Sequence, residues 1–289
     1  MKEAISSALQ QIDFTNYEVM IIDNDEYENN SGIENVIRDF NDNKIILYKN
    51  EKNIGMFGNW NRCIELARGK WITILNDDDW LEKDFLKEVV KYRVKNKAIY
   101  TKTKVNDMRI NSNIVKKENR YKNIIRKYIR RKKIRILRLF DFLFSNNSDG
   151  SLGILFKRSK LIQLGGYNEE YFPISDYVLH SKYILKYGGL QVDKILTNYR
   201  ILENACINPE INKLFPEKCF CFRKYLKKHF KYLKYLGIFN YLINDLYYKD
   251  LKSVKRLWCN NFNDKSEIEN SSKIINYFII ISKIVSDIY

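Results

Sequence analysis

Three short apolar runs punctuate the first eighty positions: Tyr17-Glu18-Val19-Met20-Ile21-Ile22, Lys44-Ile45-Ile46-Leu47-Tyr48 and Trp71-Ile72-Thr73-Ile74-Leu75. Each has strand length. Between them apolar residues recur every three or four positions, at Ile33, Val36, Ile37 and Phe40 and again through Asn59 to Arg68, the period of a helix with one buried face. Polar loops, Glu26 to Gly32 and Asn50 to Gly58, separate the elements. Strands alternating with helices predict an α/β fold with a mostly parallel, doubly wound sheet. In such sheets ligands bind outside the carboxyl ends of the strands.

Acidic residues gather at those ends. The first run closes in Asp23-Asn24-Asp25 and the third in Asn76-Asp77-Asp78-Asp79. Carboxylates are hard oxygen ligands of the kind Mg²⁺ and Mn²⁺ prefer, and a buried strand delivers them where a phosphate-bearing substrate can share the ion. The alternative is a solvated turn in which Asp79 caps a helix running through Leu81-Glu82-Lys83-Asp84-Phe85-Leu86.

A second cluster lies downstream. Gly153-Ile154-Leu155-Phe156-Lys157-Arg158 reads as a strand and Leu161 to Leu164 as a short helix, followed by the turn Gly165-Gly166-Tyr167-Asn168-Glu169. Ser175-Asp176-Tyr177-Val178-Leu179 opens another helix. A carboxylate there is held ionised by the helix dipole and can accept a proton near neutral pH; the alternative for Asp176 is a plain N-cap.

Taken in order, Glu3 to Leu9, Asp23, Asn53-Ile54-Gly55, Asn61 with Ala67-Arg68-Gly69, and Leu75 to Asp79 resemble the family 2 glycosyltransferases of the GT-A fold. The Gly-Gly turn, Asp176, and Asn198-Tyr199-Arg200-Ile201 with Glu203-Asn204 extend the likeness to about Arg200. The resemblance implies Asp176 as catalytic base, with Asp23, Asn53, Gly55, Asn61, Asn76 and Asp77 binding the donor. It implies Asp78 and Asp79 as ligands of Mn²⁺ or Mg²⁺, and Gly166, Tyr199 and Arg200 on the acceptor side. The implied reaction is transfer of a sugar from a nucleotide donor, a UDP-sugar before others, to a lipid-linked or polysaccharide acceptor of the bacterial surface, with inversion. The chemistry suits the residues: a metal neutralises the departing diphosphate, and a carboxylate takes the acceptor's proton.

Five departures from the family pattern stand out. Asn76 replaces its first Asp and Ser175 a Glu, while Trp60 and Cys63 stand where Arg and Gly are common. Trp60 reads as packing. The fifth is the apolar strand that opens the family's sheet: the chain starts in the helix that follows it. The expectation is either a reading frame that begins upstream or a truncated, inactive product.

Composition adds location. The chain of 289 residues carries 51 Lys and Arg against 35 Asp and Glu, and from Lys116 to Arg138 there are 12 basic residues against one acid, Glu118. With Tyr121, Ile124, Ile125, Tyr128, Ile129 and Ile136 interleaved, a basic helical insertion over about 106–145 is expected; Arg223 to Tyr235 repeats the bias. Such segments lie on anionic membranes or nucleic acid, or form solvated helix faces. A nucleic-acid binder would explain the charge but not the acidic strand ends, so no nucleic-acid partner is expected. No apolar run is long enough to span a bilayer and no signal-peptide pattern opens the chain, which predicts a cytoplasmic protein peripheral to the inner face of the membrane. Five scattered cysteines make no disulfide framework, and with two histidines, His180 and His229, His-based chemistry is nearly excluded. His180, one turn beyond Asp176, is expected on the helix surface or facing the same cleft. Residues 1–205 then form the glycosyltransferase-like domain and 206–289 a helical C-terminal region.

Overall fold

The computed structural model describes residues 1–25, 31–108, 133–144, 151–201, 209–230 and 237–258. Helix α1 (Lys2–Leu9) is followed by β1 (Val19–Asp23), α2 (Ser31–Phe40), β2 (Ile45–Lys49), α3 (Gly55–Leu66) and β3 (Trp71–Ile72). The order alternates as expected. β1 and β2 pair in parallel, with Val19 opposite Ile45 and Asp23 opposite Lys49, and form a two-stranded sheet of their own.

A six-stranded sheet carries the rest. It is built from β3, β4 (Trp80–Leu81), β5 (Ala98–Asp107), β6 (Ile134–Leu137), β7 (Ile154–Lys157) and β8 (Gly189–Ile201). The sheet is mixed. β5 and β8 run parallel, whereas β7 is antiparallel to β3 and β5, and β4 and β6 are antiparallel to β8.

Side-chain alternation along these strands feeds two cores. Tyr100, Ile154 and Phe156 point to one face, where Trp60 and Ile64 of α3 and Tyr177 and Ile184 of α7 (Ser175–Tyr187) meet them. Ile99 and Leu155 point to the other and pack with Leu81, Phe85, Val89, Val192 and Leu196. A strand covered on both faces must be apolar at successive positions, which is why Ile154-Leu155-Phe156 reads as one continuous run.

Two sequence expectations change. Asp79 does not cap a helix: the chain after it forms β4, and α4 (Phe85–Val89) starts only after Asp84. The pairing of Trp80 with Asn198 and Leu81 with Thr197, more than a hundred positions away, overrides the local helical pattern. Within the span expected as a basic helical insertion, residues 109–132 lie outside the described residues. The rest differs from a membrane-facing helix. Ile134–Leu137 is a strand on β8, and Phe142, Leu143 and Phe144 of α5 (Leu139–Phe144) are buried in the first core.

The described part of the C-terminal region is helical. α8 (Pro209–Lys227) and α9 (Gly237–Trp258) pack Phe222 and Leu226 with Phe239, Leu242, Ile243 and Leu246. Arg223, 3% exposed, is ion-paired with Asp250 across the two helices and lies over the Tyr177 ring. Among the described residues no helix is long and apolar enough to cross a membrane.

Candidate active site

One large cleft, about 2760 Å³, opens at the acidic strand ends. Asp23, Asn53, Asn76, Asp77, Asp78, Tyr199 and Asp176 all line it, so the topology gathers residues spread over 176 positions. Asp25 and Asp107 line it too, the latter from the end of β5. Sequence reading missed Asp107 because a lone acid closing a mixed strand carries no motif.

Loop 50–55 is shaped by amides. Asn24 Oδ1 accepts from the Ile54 N–H at 3.0 Å and from Asn50 Nδ2 at 2.9 Å, while its Nδ2 donates to Asn53 Oδ1 at 3.0 Å. Asn53 Oδ1 also accepts from the Gly55 N–H at 2.9 Å. Gly55 has φ +74°, a left-handed conformation that an L side chain rarely adopts. Helix α3 therefore starts at Gly55, four residues ahead of Asn59.

The triple Asp divides its labour. Asp77 is exposed and Asp78 half-buried, both in the cleft. Asp79 is fully buried; one carboxylate oxygen accepts from the Arg200 N–H at 2.9 Å and the other from Asn76 Nδ2 at 3.1 Å. Burial, with the neighbouring Asp78 charge added, raises its pKa to about 6. Asp79 thus ties the acidic turn to β8. Arg200 is held in the same tie: its guanidinium meets Glu3 of α1 and lies 4.8 Å from the Trp80 ring centroid, and Tyr199 and Ile201 are the β8 residues that reach the cleft.

Asp176 occupies the first turn of α7, half-buried, with Oδ1 accepting from the Tyr177 N–H at 2.7 Å. His180 does not share its cleft. The ring is fully buried between Phe156 and Tyr167, and Nε2 lies 3.1 Å from Ser151 Oγ. Burial lowers its pKa to about 3, so it is a neutral core residue.

Gly166 and Asn61 meet behind the cleft wall. Asn61 holds the backbone of Tyr167, whose ring stacks on Phe57 and meets the edge of Trp60. Trp60, 8% exposed, packs in the first core as expected. Gly166, φ +67°, leaves room for that amide: a Cβ there would lie 2.3 Å from Asn61 Oδ1.

Cations have partial ligand sets here. Among the described residues no group of three or more His, Cys, Asp and Glu side chains is arranged to hold an ion. Asp77 and Asp78 supply hard oxygens beside open space, the arrangement suited to an ion that completes its shell with phosphate and water.

The family profile described as Glycosyl transferase family 2 matches residues 1–159. An uncharacterized glycosyltransferase of Methanocaldococcus jannaschii is 34% identical over 101 residues; the match covers 34% of this chain and 34% of that protein, so the chain spans about a third of that relative's length. Among solved structures, Staphylococcus aureus TarS 1–349 superimposes with TM-score 0.55 at 16% identity, over 97% of this chain and 76% of that one. The mannosyltransferase PcManGT of Pyrobaculum calidifontis, solved with GDP-Man and Mn²⁺, gives 0.53 at 14%, over 100% and 83%. A family match over more than half the chain, on a GT-A-like α/β framework with an acidic cleft, places this chain in glycosyltransferase family 2.

Proposed function

We propose that the protein transfers a sugar, with inversion, from a nucleotide-sugar donor to a lipid-linked or polysaccharide acceptor, using Mn²⁺ or Mg²⁺. The observation that carries this reading is the convergence of Asp23, Asp77, Asp78 and Asp176 on one cleft. TarS has been solved with UDP-GlcNAc and PcManGT with GDP-Man and Mn²⁺, which supports a nucleotide-sugar donor and a divalent ion. A UDP-sugar is the donor we favour.

Asp78 would hold the ion, with Asp77 supporting it. When bound, the ion would offset charge growing on the leaving diphosphate. Asp23, at the β1 end, accepts from the Asp25 N–H at 3.0 Å and is the group placed to receive polar edges of a base. Asn53 and Gly55 shape the loop beside it, and Asn76 orients the acidic turn through Asp79. On this reading Asn61 and Arg200 act by positioning, since their polar groups are engaged with Tyr167 and with Glu3. Asp79, saturated by two hydrogen bonds, likewise supports the turn and leaves the ion to Asp78.

The acceptor hydroxyl would lose its proton to Asp176. Its carboxylate sits at a helix N-terminus, which favours the ionised, proton-accepting form. Tyr199, and Gly166 through the turn it forms, belong to the acceptor side. Net charge +16 supports a working place at the anionic inner face of the cell membrane. Thermal-shift screening of UDP, GDP and TDP and their sugars, with and without Mn²⁺, tests the reading, because ligand binding raises the melting temperature in step with affinity. A Mn²⁺-dependent rise with one nucleotide is expected; no rise with any of them would overturn it.

A further inference from the structure

Helix α7 opens without a side-chain cap. Ile174, which precedes it, has no polar side-chain atom to offer, and the Ser175 hydroxyl is buried with no hydrogen-bond partner. The first amides of a helix have no intrahelical acceptor, so a turn that lacks a cap is fixed by what packs against it. Asp176 lies in that turn and lines the cleft. Tyr177, the next residue, is turned about 100° around the helix from it, and its ring is fully buried.

Three groups hold Tyr177. Its hydroxyl donates to the Phe142 carbonyl of α5, Phe222 of α8 meets its ring edge-on with centroids 5.0 Å apart, and the Arg223 guanidinium lies 6.0 Å from the ring centroid. Arg223 is 3% exposed and ion-paired with Asp250, so α9 acts on the tyrosine through α8. The same two helices reach the cleft: Ile211 and Phe215 of α8 and Ser253 of α9 line it together with Asp176.

A buried ion pair is a poor way to add stability. Desolvation of both charges offsets much of their attraction, and apolar residues of similar volume in their place are often neutral or stabilising. What such a pair does supply is a single geometry, because a planar guanidinium and a carboxylate bond only where donors and acceptors line up. Here that geometry is imposed on Tyr177, next in sequence to Asp176.

We propose that Arg223, held by Asp250, is a positioning residue for Asp176: through Tyr177 it fixes the first turn of α7, and with it the place of the carboxylate in the cleft. The proposal rests on the reading of Asp176 as the base, and its test uses no turnover, so the two can fail separately.

Arg223→Met combined with Asp250→Leu replaces the pair by apolar side chains and leaves no unpaired buried charge. Two signals are read in the 289-residue protein: amide hydrogen exchange at residues 176–180, and the side-chain carboxyl carbon NMR resonance of Asp176, assigned by its loss in Asp176→Asn. In the double variant exchange at 176–180 should quicken by about tenfold or more, while exchange at 19–23 in β1 stays within about twofold. The Asp176 resonance should move or broaden; with both charges removed together the net field changes little, so the change reports position. Arg223→Lys keeps the charge but not the planar fork, and should give the same local pattern at about threefold or more, which carries the test where the double variant does not fold. A pair that served stability alone would quicken exchange at both segments together and leave the Asp176 resonance in place. That result, or no change in either signal, would overturn the proposal.

Discussion

The side-chain amide of Asn61 grips the backbone of Tyr167 at both ends: Nδ2 donates to the Tyr167 carbonyl at 2.7 Å, and Oδ1 accepts from its N–H at 2.7 Å. Helix α3 is thereby locked to the turn that runs from Gly165 to Glu169, over 106 positions of sequence. Asn61→Ala leaves two backbone groups of a buried residue unpaired, at roughly 1 to 3 kcal/mol for each such group. A loss of about 2 kcal/mol or more in urea unfolding is expected, with the midpoint falling and the slope unchanged.

Gly166→Ala should be as damaging for a related reason. Its φ of +67° strains any L residue, and the added Cβ would meet Asn61 Oδ1 at 2.3 Å. The two losses should not add. In an Asn61→Ala background the clash is gone and only the backbone strain remains, so a double-mutant cycle should show coupling of about 1 kcal/mol or more.

His180 predicts an acid limb in stability. Its pKa falls from 6.5 to about 3 on folding, so between those values the unfolded chain binds a proton that the folded protein refuses. Stability from this residue is complete above pH 6.5 and is lost as pH falls toward 3. The slope is at most about 1.4 kcal/mol per pH unit for one proton. Chemical denaturation from pH 7 to 4 should show it, and His180→Gln, which has nothing to titrate, should flatten that part of the curve.

Asp176→Asn keeps the shape of the first turn of α7 and removes the proton acceptor. Sugar transfer should drop by about a hundredfold or more while nucleotide affinity stays within about twofold. Turnover near that of the unaltered enzyme would show that another group is the base.

The sequence made the strand ends legible because each apolar run stops in acid, and the structure brings Asp23, Asp77, Asp78 and Asp176 to one cleft. Other features depend on partners far along the chain. Trp80-Leu81 looks like the approach to a helix, but β8 makes it a strand. Asp79 looks like its neighbours, and only the Arg200 amide singles it out as the buried member. Asn24 and Asn61 are polar residues in polar surroundings, with roles set by amides elsewhere. His180 sits on a helix whose polar residues Ser175 and Ser181 are buried as well, so local polarity gave no hint of depth.

Calorimetric titration of UDP into the protein reads out whether this cleft binds a nucleoside diphosphate through an ion held at Asp78. With Mn²⁺ present the unaltered protein should bind UDP at least about tenfold more tightly than in excess chelator, and Asp78→Ala should bind it equally weakly under both conditions. If UDP and GDP both bind with the same affinity whether or not Mn²⁺ is present, or if Asp78→Ala retains the full effect of the ion, the acidic turn is not the metal site and the account is contradicted.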